Sequence, residues 1–296
     1  MEFPGRGIPS VFGGVKMPIK MRWLGTACFE IVLPNRKTLI IDPYLDDSIS
    51  APITSDDLKA CDFIFLSHGH YDHVLDVGKL AKRFNPKIFC SHVVAGSLME
   101  SLGVAPGLIT RVKAGEVIRE EGLLVEVLEG FHVDFAKEYK RLTGHDLTTG
   151  GRDPMAMIKK AIMLVFGSER VPEQFSDWMT KYPQGDQLNF VFDPAGGRRI
   201  YMAGSYPDPS IIEAAHRARA HITLLQVLPG NILRGLEEQT ANLAMASGCK
   251  IVVPQHHDPL LEGAKKTDLT ELKRILAEKA DVIFKEFVPG KWYDFD

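Results

Sequence analysis

The sequence is poor in cysteine, in long apolar runs and in surplus charge of either sign. Its four cysteines, Cys28, Cys61, Cys90 and Cys249, stand far apart and form no C-x-x-C pair. Neither a disulfide framework nor a thiolate zinc knuckle is therefore expected. No apolar run reaches the ~18 residues of a membrane span. Residues 1–20 lack the apolar segment that marks a secretory signal. The formal net charge of −3 gives no basic footprint for nucleic acid. Low-complexity tracts and internal repeats are missing too. The expectation is a soluble, cytoplasmic protein with no nucleic-acid partner and no transmembrane segment.

What is present is ordinary globular material. Hydrophobic residues make up 45% and charged residues 25%, enough for a core of useful size. Residues 1–20 are rich in glycine and proline and read as an irregular arm, packed on the body or on a neighbouring subunit of a homo-oligomer. Three β-like runs follow, at 20–24, 28–33 and 38–42. Strands at 62–66 and 87–90 then alternate with helices at 76–84 and 93–102, and further strand candidates lie at 109–113, 116–119 and 123–128. The pattern breaks over 136–185, which reads as a helical insertion with helices at 154–166 and 172–180. Strands resume at 187–192 and 198–203 across a turn at 193–197. Helices at 209–219, 236–246 and 268–279 then alternate with strands at 221–226, 250–253 and 281–287. Each half thus runs from hairpin strands into strands alternating with helices. That predicts an α/β protein of two halves packed sheet on sheet, with helices outside, in one domain over 21–296.

The strongest chemical signal is Ser67-His68-Gly69-His70-Tyr71-Asp72-His73, directly after the run DFIFL. In extended backbone, residues two apart project to the same side, so His68 and His70 can converge on one metal. As the chain turns into the next helix, Asp72 and His73 can face a second ion beside the first. Imidazole and carboxylate suit Zn²⁺, and also Mn²⁺ or Fe²⁺. The plain alternative is a polar strand-to-helix loop that holds these histidines by accident.

The motif matches an H-x-H-x-D-H signature, and on it the chain resembles the metallo-β-lactamase superfamily. Trp23-Leu24-Gly25-Thr26-Ala27 and Ile41-Asp42-Pro43 are similar to the opening strands of that superfamily. They are most similar to the branch that contains L-ascorbate-6-phosphate lactonase, small metal-dependent hydrolases and N-acylphosphatidylethanolamine phospholipase. The resemblance spans most of 19–296. It implies an αββα sandwich of two mixed sheets with helices outside, with the active site at one edge on the loops that follow strands. It also implies further ligands from later loops. His132, in Gly130-Phe131-His132, is the candidate third histidine of the first metal. His256, in Gln255-His256-His257-Asp258, is the candidate last histidine of the second. The implied sets are His68, His70 and His132 for one ion, and Asp72, His73 and His256 for the other. Zn²⁺, as one or two ions, is the expected cofactor, with Mn²⁺ or Fe²⁺ as alternatives.

The activity implied is hydrolysis of an ester, lactone or phosphodiester of a small molecule by water or hydroxide that the metal activates. Asp72 would hold the second ion and accept a hydrogen bond from the nucleophile, while Tyr206 or His257 would stabilise the developing oxyanion. The insertion 136–185 would roof the site and set specificity. A redox di-iron reading is disfavoured, because related oxidoreductases carry Glu where His70 stands. One position departs from the family. Most members have a Gly-Asp pair whose carboxylate bridges the two metals, whereas this chain reads Gly204-Ser205. A neutral hydroxyl is a poorer ligand for a hard dication. Either Asp208 or another acid substitutes, or the site is mononuclear or weakly binuclear, or the protein is a metal-binding module without turnover.

The remaining candidates have plainer readings. Asp42 would orient a ligand histidine rather than bind metal. Asp134 is either an acceptor for an imidazole N–H or a surface carboxylate. His92 starts a helix, and His216 and His221 are solvated or structural. His145 and Asp146 form either a catalytic pair or an ordinary polar lid loop. The methionine-rich stretch 155–163 is helix core, or the lining of an adaptable apolar pocket.

Overall fold

The computed structural model describes residues 17–146, 154–168, 171, 173–227 and 230–296. Most of the arm read at 1–20, and residues 147–153, lie outside them. The first half opens with an antiparallel meander of β1 (Ile19–Trp23), β2 (Phe29–Val32) and β3 (Thr38–Ile41). Strands β4 (Phe63–Phe65), β5 (Lys87–Cys90) and β6 (Ile109–Arg111) then add in parallel. The crossovers carry α1 (Tyr71–Val74), α2 (Val77–Phe84) and α3 (His92–Leu102). The second half repeats the plan. Strands β7 (Val117–Glu120), β8 (Leu123–Glu129), β9 (Leu188–Pro194) and β10 (Ile200–Ala203) are antiparallel. β11 (Ile222–Gln226), β12 (Ile251–Gln255) and β13 (Ile283–Phe284) continue in parallel, linked through α7 (Ile212–Ala218), α8 (Glu237–Ala246) and α9 (Thr270–Lys279). Two sheets of seven strands result, each mixed in direction.

Strand alternation explains why the sheets stack. Leu39 and Ile41 belong to the core between the sheets, while Ile40 belongs to the cluster shared with helices; Phe63 and Phe65 flank Ile64 in the same way. That is the period of two that sends successive side chains to opposite faces. Phe65 fixes the centre of the sandwich. It stacks on Phe89 of its own sheet at 4.6 Å and meets Phe190 and Phe192 of the other at 5.3 and 5.0 Å. Each such ring, fully buried, contributes roughly 1.5–3 kcal/mol of apolar stabilisation. Outside the second sheet, alanine-rich α7 and α8 pack closely on Tyr201, Ala203 and Val252.

Between β8 and β9 the insertion contributes α4 (Phe135–Thr143), α5 (Pro154–Phe166) and α6 (Phe175–Lys181). It leaves from the second sheet but packs across onto the first half. Ile162, Val165, Phe166 and Tyr182 share a cluster with Tyr71, Val74, Val94 and Leu98. The insertion therefore bridges one edge of the sandwich.

Two elements depart from the sequence reading. A short last strand, β14 (Tyr293–Phe295), returns antiparallel to β1 and closes the edge of the first sheet. Three residues are too few to show alternation in the sequence. In the other case α4 starts at Phe135, because Asp134 caps it: Oδ1 accepts from the N–H groups of Ala136 and Lys137 at 3.0 and 3.1 Å. Asp134 is thus an exposed helix cap, which answers the choice left open for it.

Candidate metal centre

Five loops that follow strands meet at the bridged edge: those after β3, β4, β8, β10 and β12. The loop after β4 turns sharply enough to present its histidines because Gly69 sits flat against the end of the insertion. Its N–H donates to the carbonyl of Gln184 at 2.8 Å, and a Cβ at this position would lie 2.1 Å from the Pro183 carbonyl oxygen. Leu188 N–H in turn donates to Ser67 O at 2.8 Å. Replacing Gly69 by Ala is expected to force these backbones apart and cost about 1–3 kcal/mol, the scale of core overpacking. Denaturant unfolding with metal content measured alongside checks this, and an unchanged midpoint would contradict it.

The histidines fall into two groups. In the first, donor atoms of His68, His70 and His132 all lie within 4.8 Å of one another; in the second, those of Asp72, His73 and His256 do. His68 Nε2 and His70 Nδ1 are 3.2 Å apart. The His132 ring lies 4.9 Å from His68 and 4.7 Å from His70, and its Nδ1 donates to the Val133 carbonyl at 2.9 Å, which leaves the Nε2 lone pair to face the group. Asp72 Oδ2 lies 3.6 Å from His73 Nε2 and 3.3 Å from His256 Nε2. The groups adjoin through His68 and His73, whose rings are 4.0 Å apart.

The charges match what a dication needs. Burial, helped by the neighbouring rings, pushes His68 well below the usual imidazole range, His70 down to about 3 and His132 down to about 4. Those three rings are neutral and offer lone pairs. Burial opposes charge on Asp72 and His73 as well, but here it is outweighed. His73 and His256 hold the Asp72 carboxyl below its usual range, and Asp72 and Asp42 hold His73 above its own. Deprotonated carboxylate and neutral imidazole are the forms that bind metal. His73 meets that condition by giving up the proton on Nε2 while keeping the one on Nδ1, and Asp42 is placed to hold the latter.

Asp42 closes β3 in left-handed backbone, φ +43°, and is fully buried. Its Oδ1 accepts from Ser67 N–H at 2.8 Å, and its Oδ2 lies 2.7 Å from Ser67 Oγ and 2.9 Å from His73 Nδ1. Ser67 Oγ lies 3.0 Å from His68 Nδ1. One carboxylate thus orients a histidine of each group, Ser67 being the link that the sequence reading missed. Asp42→Asn keeps the shape and loses the charge. Metal affinity is expected to fall about 10–100-fold, the usual effect of losing an acceptor behind a ligand histidine. Competition with a chromophoric chelator measures it, and unaltered affinity would rule the relay out.

His256 is also left-handed, at φ +60°, facing left-handed Thr26 at φ +47°. His256 N–H donates to Thr26 O, and Thr26 N–H to Asp258 Oδ2, both at 2.8 Å. Backbone strain of this sort persists where surrounding bonds over-determine it. Asp258, absent from the sequence candidates, is therefore the brace of the loop that carries His256.

Other candidates lie apart from the six donors. His257 is fully buried and stacked on Trp23 at 4.8 Å. Burial, with Lys266 nearby, pushes it down to about 4. The Tyr206 hydroxyl donates to Oε1 of buried Glu138 at 2.7 Å, and Glu138 Oε2 accepts from Arg141 at 2.6 Å. Ser205 Oγ donates to Asn189 Oδ1 at 2.9 Å and accepts from Phe131 N–H at 3.1 Å. Asp208 caps a short helical turn through Ser210 N–H, and among the described residues no carboxylate other than Asp72 joins either group. His145 is exposed, and Asp146 pairs with Lys140 at 2.8 Å. His92 opens α3, and His216 and His221 are exposed.

The sequence of residues 21–138 matches the model of the metallo-beta-lactamase superfamily. A "UPF0173 metal-dependent hydrolase" of Koribacter versatilis is 36% identical over 72 residues, 24% of this chain and 31% of that protein. The namesake from Archaeoglobus fulgidus is 37% identical over 93 residues, so the chain spans between about a third and two fifths of these curated relatives. Among solved structures, Igni18, a metallo hydrolase of Ignicoccus hospitalis, superposes with a TM-score of 0.67 at 15% identity, over 94% of this chain and 99% of that one. CmlA, a diiron β-hydroxylase of Streptomyces venezuelae, does so with 0.59 at 12% identity, over 95% and 54%. At such identities these two show the fold alone. The family's model is thus matched over residues 21–138, and the fold is shared with these metallo-enzymes over most of the chain.

Proposed function

We propose that the chain is a metal-dependent hydrolase that cleaves an ester, lactone or phosphodiester of a small molecule. The observation that carries this reading is the pair of adjoining three-donor groups, His68/His70/His132 and Asp72/His73/His256, at one edge of the sandwich. Neutral imidazoles and one carboxylate suit Zn²⁺ best, with Mn²⁺ and Fe²⁺ accepted by the same donors. A bound dication there would supply Lewis acidity and water acidified towards neutral pH. The chain's own residues do the rest. Asp42 and Ser67 fix the rings, Asp72 offers the one negative charge beside the nucleophile, and the insertion limits access of bulk water. Tyr206 and His257 are left a smaller part than the oxyanion role the sequence suggested: one hydroxyl is committed to Glu138, and the other ring is packed on Trp23. Metal content per chain, followed by turnover on a panel of esters, lactones and phosphodiesters, tests the reading. Stoichiometric metal with turnover on one class supports it, and metal without turnover on any would overturn it.

A second reading has its own observation. Ser205 stands where the bridging carboxylate is usual, and its hydroxyl is taken up by Asn189 and Phe131. Two ions would then face each other with no shared anion between them. On this reading the protein holds metal, with one site strongly preferred, and turns over slowly or not at all. Tight binding of a single ion, with catalysis appearing only when a carboxylate is restored, would favour it.

A further inference from the structure

Beside the donor groups lies a cleft of about 530 Å³ that the chemistry above does not use. Its size falls within the ~300–1,000 Å³ typical of small-molecule sites. Its walls come from the loops that carry the donors. Tyr71 stands between His70 and Asp72, Tyr44 follows Asp42, and Leu260 and Leu261 follow the His256 loop; Trp178 of α6 closes the cleft from the insertion. The aromatic part is built: Tyr71 stacks on Trp178 at 4.4 Å and meets Tyr44 edge-on at 5.8 Å. Tyr44 donates its hydroxyl to Asp47 O at 3.0 Å. Tyr71, only 3% exposed, has a buried hydroxyl with no hydrogen-bond partner among the described residues. A buried hydroxyl without a partner is costly in a folded chain unless a ligand or water meets it. The charged residues of the lining are Asp47, Glu173 and Glu262, all acidic, with no Lys or Arg among the described lining residues.

Resting on the hydrolase reading, we propose that this cleft seats an aromatic group of the substrate that is neutral or positively charged, and that it rejects a negatively charged one. Stacked rings favour a flat apolar group and attract a cation over their faces. Three carboxylates at the rim oppose an anion by like charge. The substrates would be neutral or cationic aryl esters and lactones, with Tyr71 offering a hydrogen bond to a polar atom of the seated group.

Three matched probes test this by calorimetric titration of the full, metal-loaded chain: benzyltrimethylammonium, benzyl alcohol and phenylmethanesulfonate. The cation is expected to bind at least about tenfold more tightly than the sulfonate, with the alcohol between them. Trp178→Ala should weaken every probe. Asp47→Lys combined with Glu173→Lys, both at exposed positions, should reverse the order of cation and sulfonate while leaving thermal unfolding in place. Equal affinity for the three probes, or an order untouched by the double substitution, would overturn the proposal. The probes require no turnover. A graded probe series with an inert substrate panel would sink the hydrolase reading alone, whereas turnover with a flat series would sink the cleft alone.

Discussion

Replacing His70 by Ala is expected to remove the ion of the first group and to lower turnover by at least about 10²–10³-fold, the scale seen when a main electrostatic element of an active site is lost. His70 lies centrally, 3.2 Å from one donor of its group and with its ring 4.7 Å from the other. Two imidazoles remain without it, too few for a tetrahedral site that keeps one position open for substrate. The fold should survive, because His70 is only half-buried and precedes a short helical turn. Metal analysis and turnover, measured on one preparation, give the answer. His92→Ala is the matched control, an exposed histidine at the start of α3 that should change neither quantity. A His70→Ala protein with full metal and full activity would show that the first group is not a metal site.

Ser205→Asp is expected to tighten binding of the second ion by about 10–100-fold or more, since a direct anionic ligand should be worth at least as much as an acceptor behind one. The position is buried, and nothing around it among the described residues balances a carboxylate without a cation. Ser205 is 1% exposed, on the loop whose Gly204 packs against Ser67. A carboxylate placed there without a cation would be buried beside Asn189 and Phe131, so the metal-free variant should unfold earlier than the parent. The metal-loaded variant should unfold later, because binding energy adds to folding energy. Thermal unfolding with and without metal separates the two effects, and isothermal titration counts the ions. Ser205→Ala should leave the ion count unchanged. If Ser205→Asp also leaves it unchanged, the missing bridge does not limit metal binding.

The readable parts of the sequence were those in which one residue type has one physical use. Leu39-Ile40-Ile41 and the run DFIFL announce buried strands, and the structure places them at the heart of the first sheet. The β5 strand and the helix Pro154–Phe166 have the bounds that the pattern suggested. The motif 67–73 shows its chemistry because two-residue spacing survives the turn into α1. What stayed hidden depends on contacts between distant residues. Nothing near Asp258 in sequence reveals that it holds Thr26, 232 residues away. Ser67 reads as a neutral neighbour of the motif until Asp42 arrives from another strand. Asp134 looked ambiguous because a helix cap and an imidazole acceptor are both carboxylates next to a turn. Tyr71 occupies an unspecified position of the motif between His70 and Asp72, and only the stacking of Trp178 upon it reveals a wall. The comparisons add a family match over residues 21–138 and the fold; among the described residues no helix is long and apolar enough to cross a membrane.

The seam at Gly69 has a consequence for anyone who would engineer this protein. The carbonyls of Pro183 and Gln184 and the N–H of Leu188 belong to the returning limb of the roof, yet they clamp the turn that carries His68 and His70, and Gly130 N–H donates to Gln187 O of the same limb at 3.0 Å. Roof and histidine-bearing turns are thus one mechanical unit. Trimming the roof to admit bulkier molecules would loosen the histidine cluster before it widened the mouth, so grafts should be spliced upstream of Pro183 and leave the limb from there to Leu188 intact.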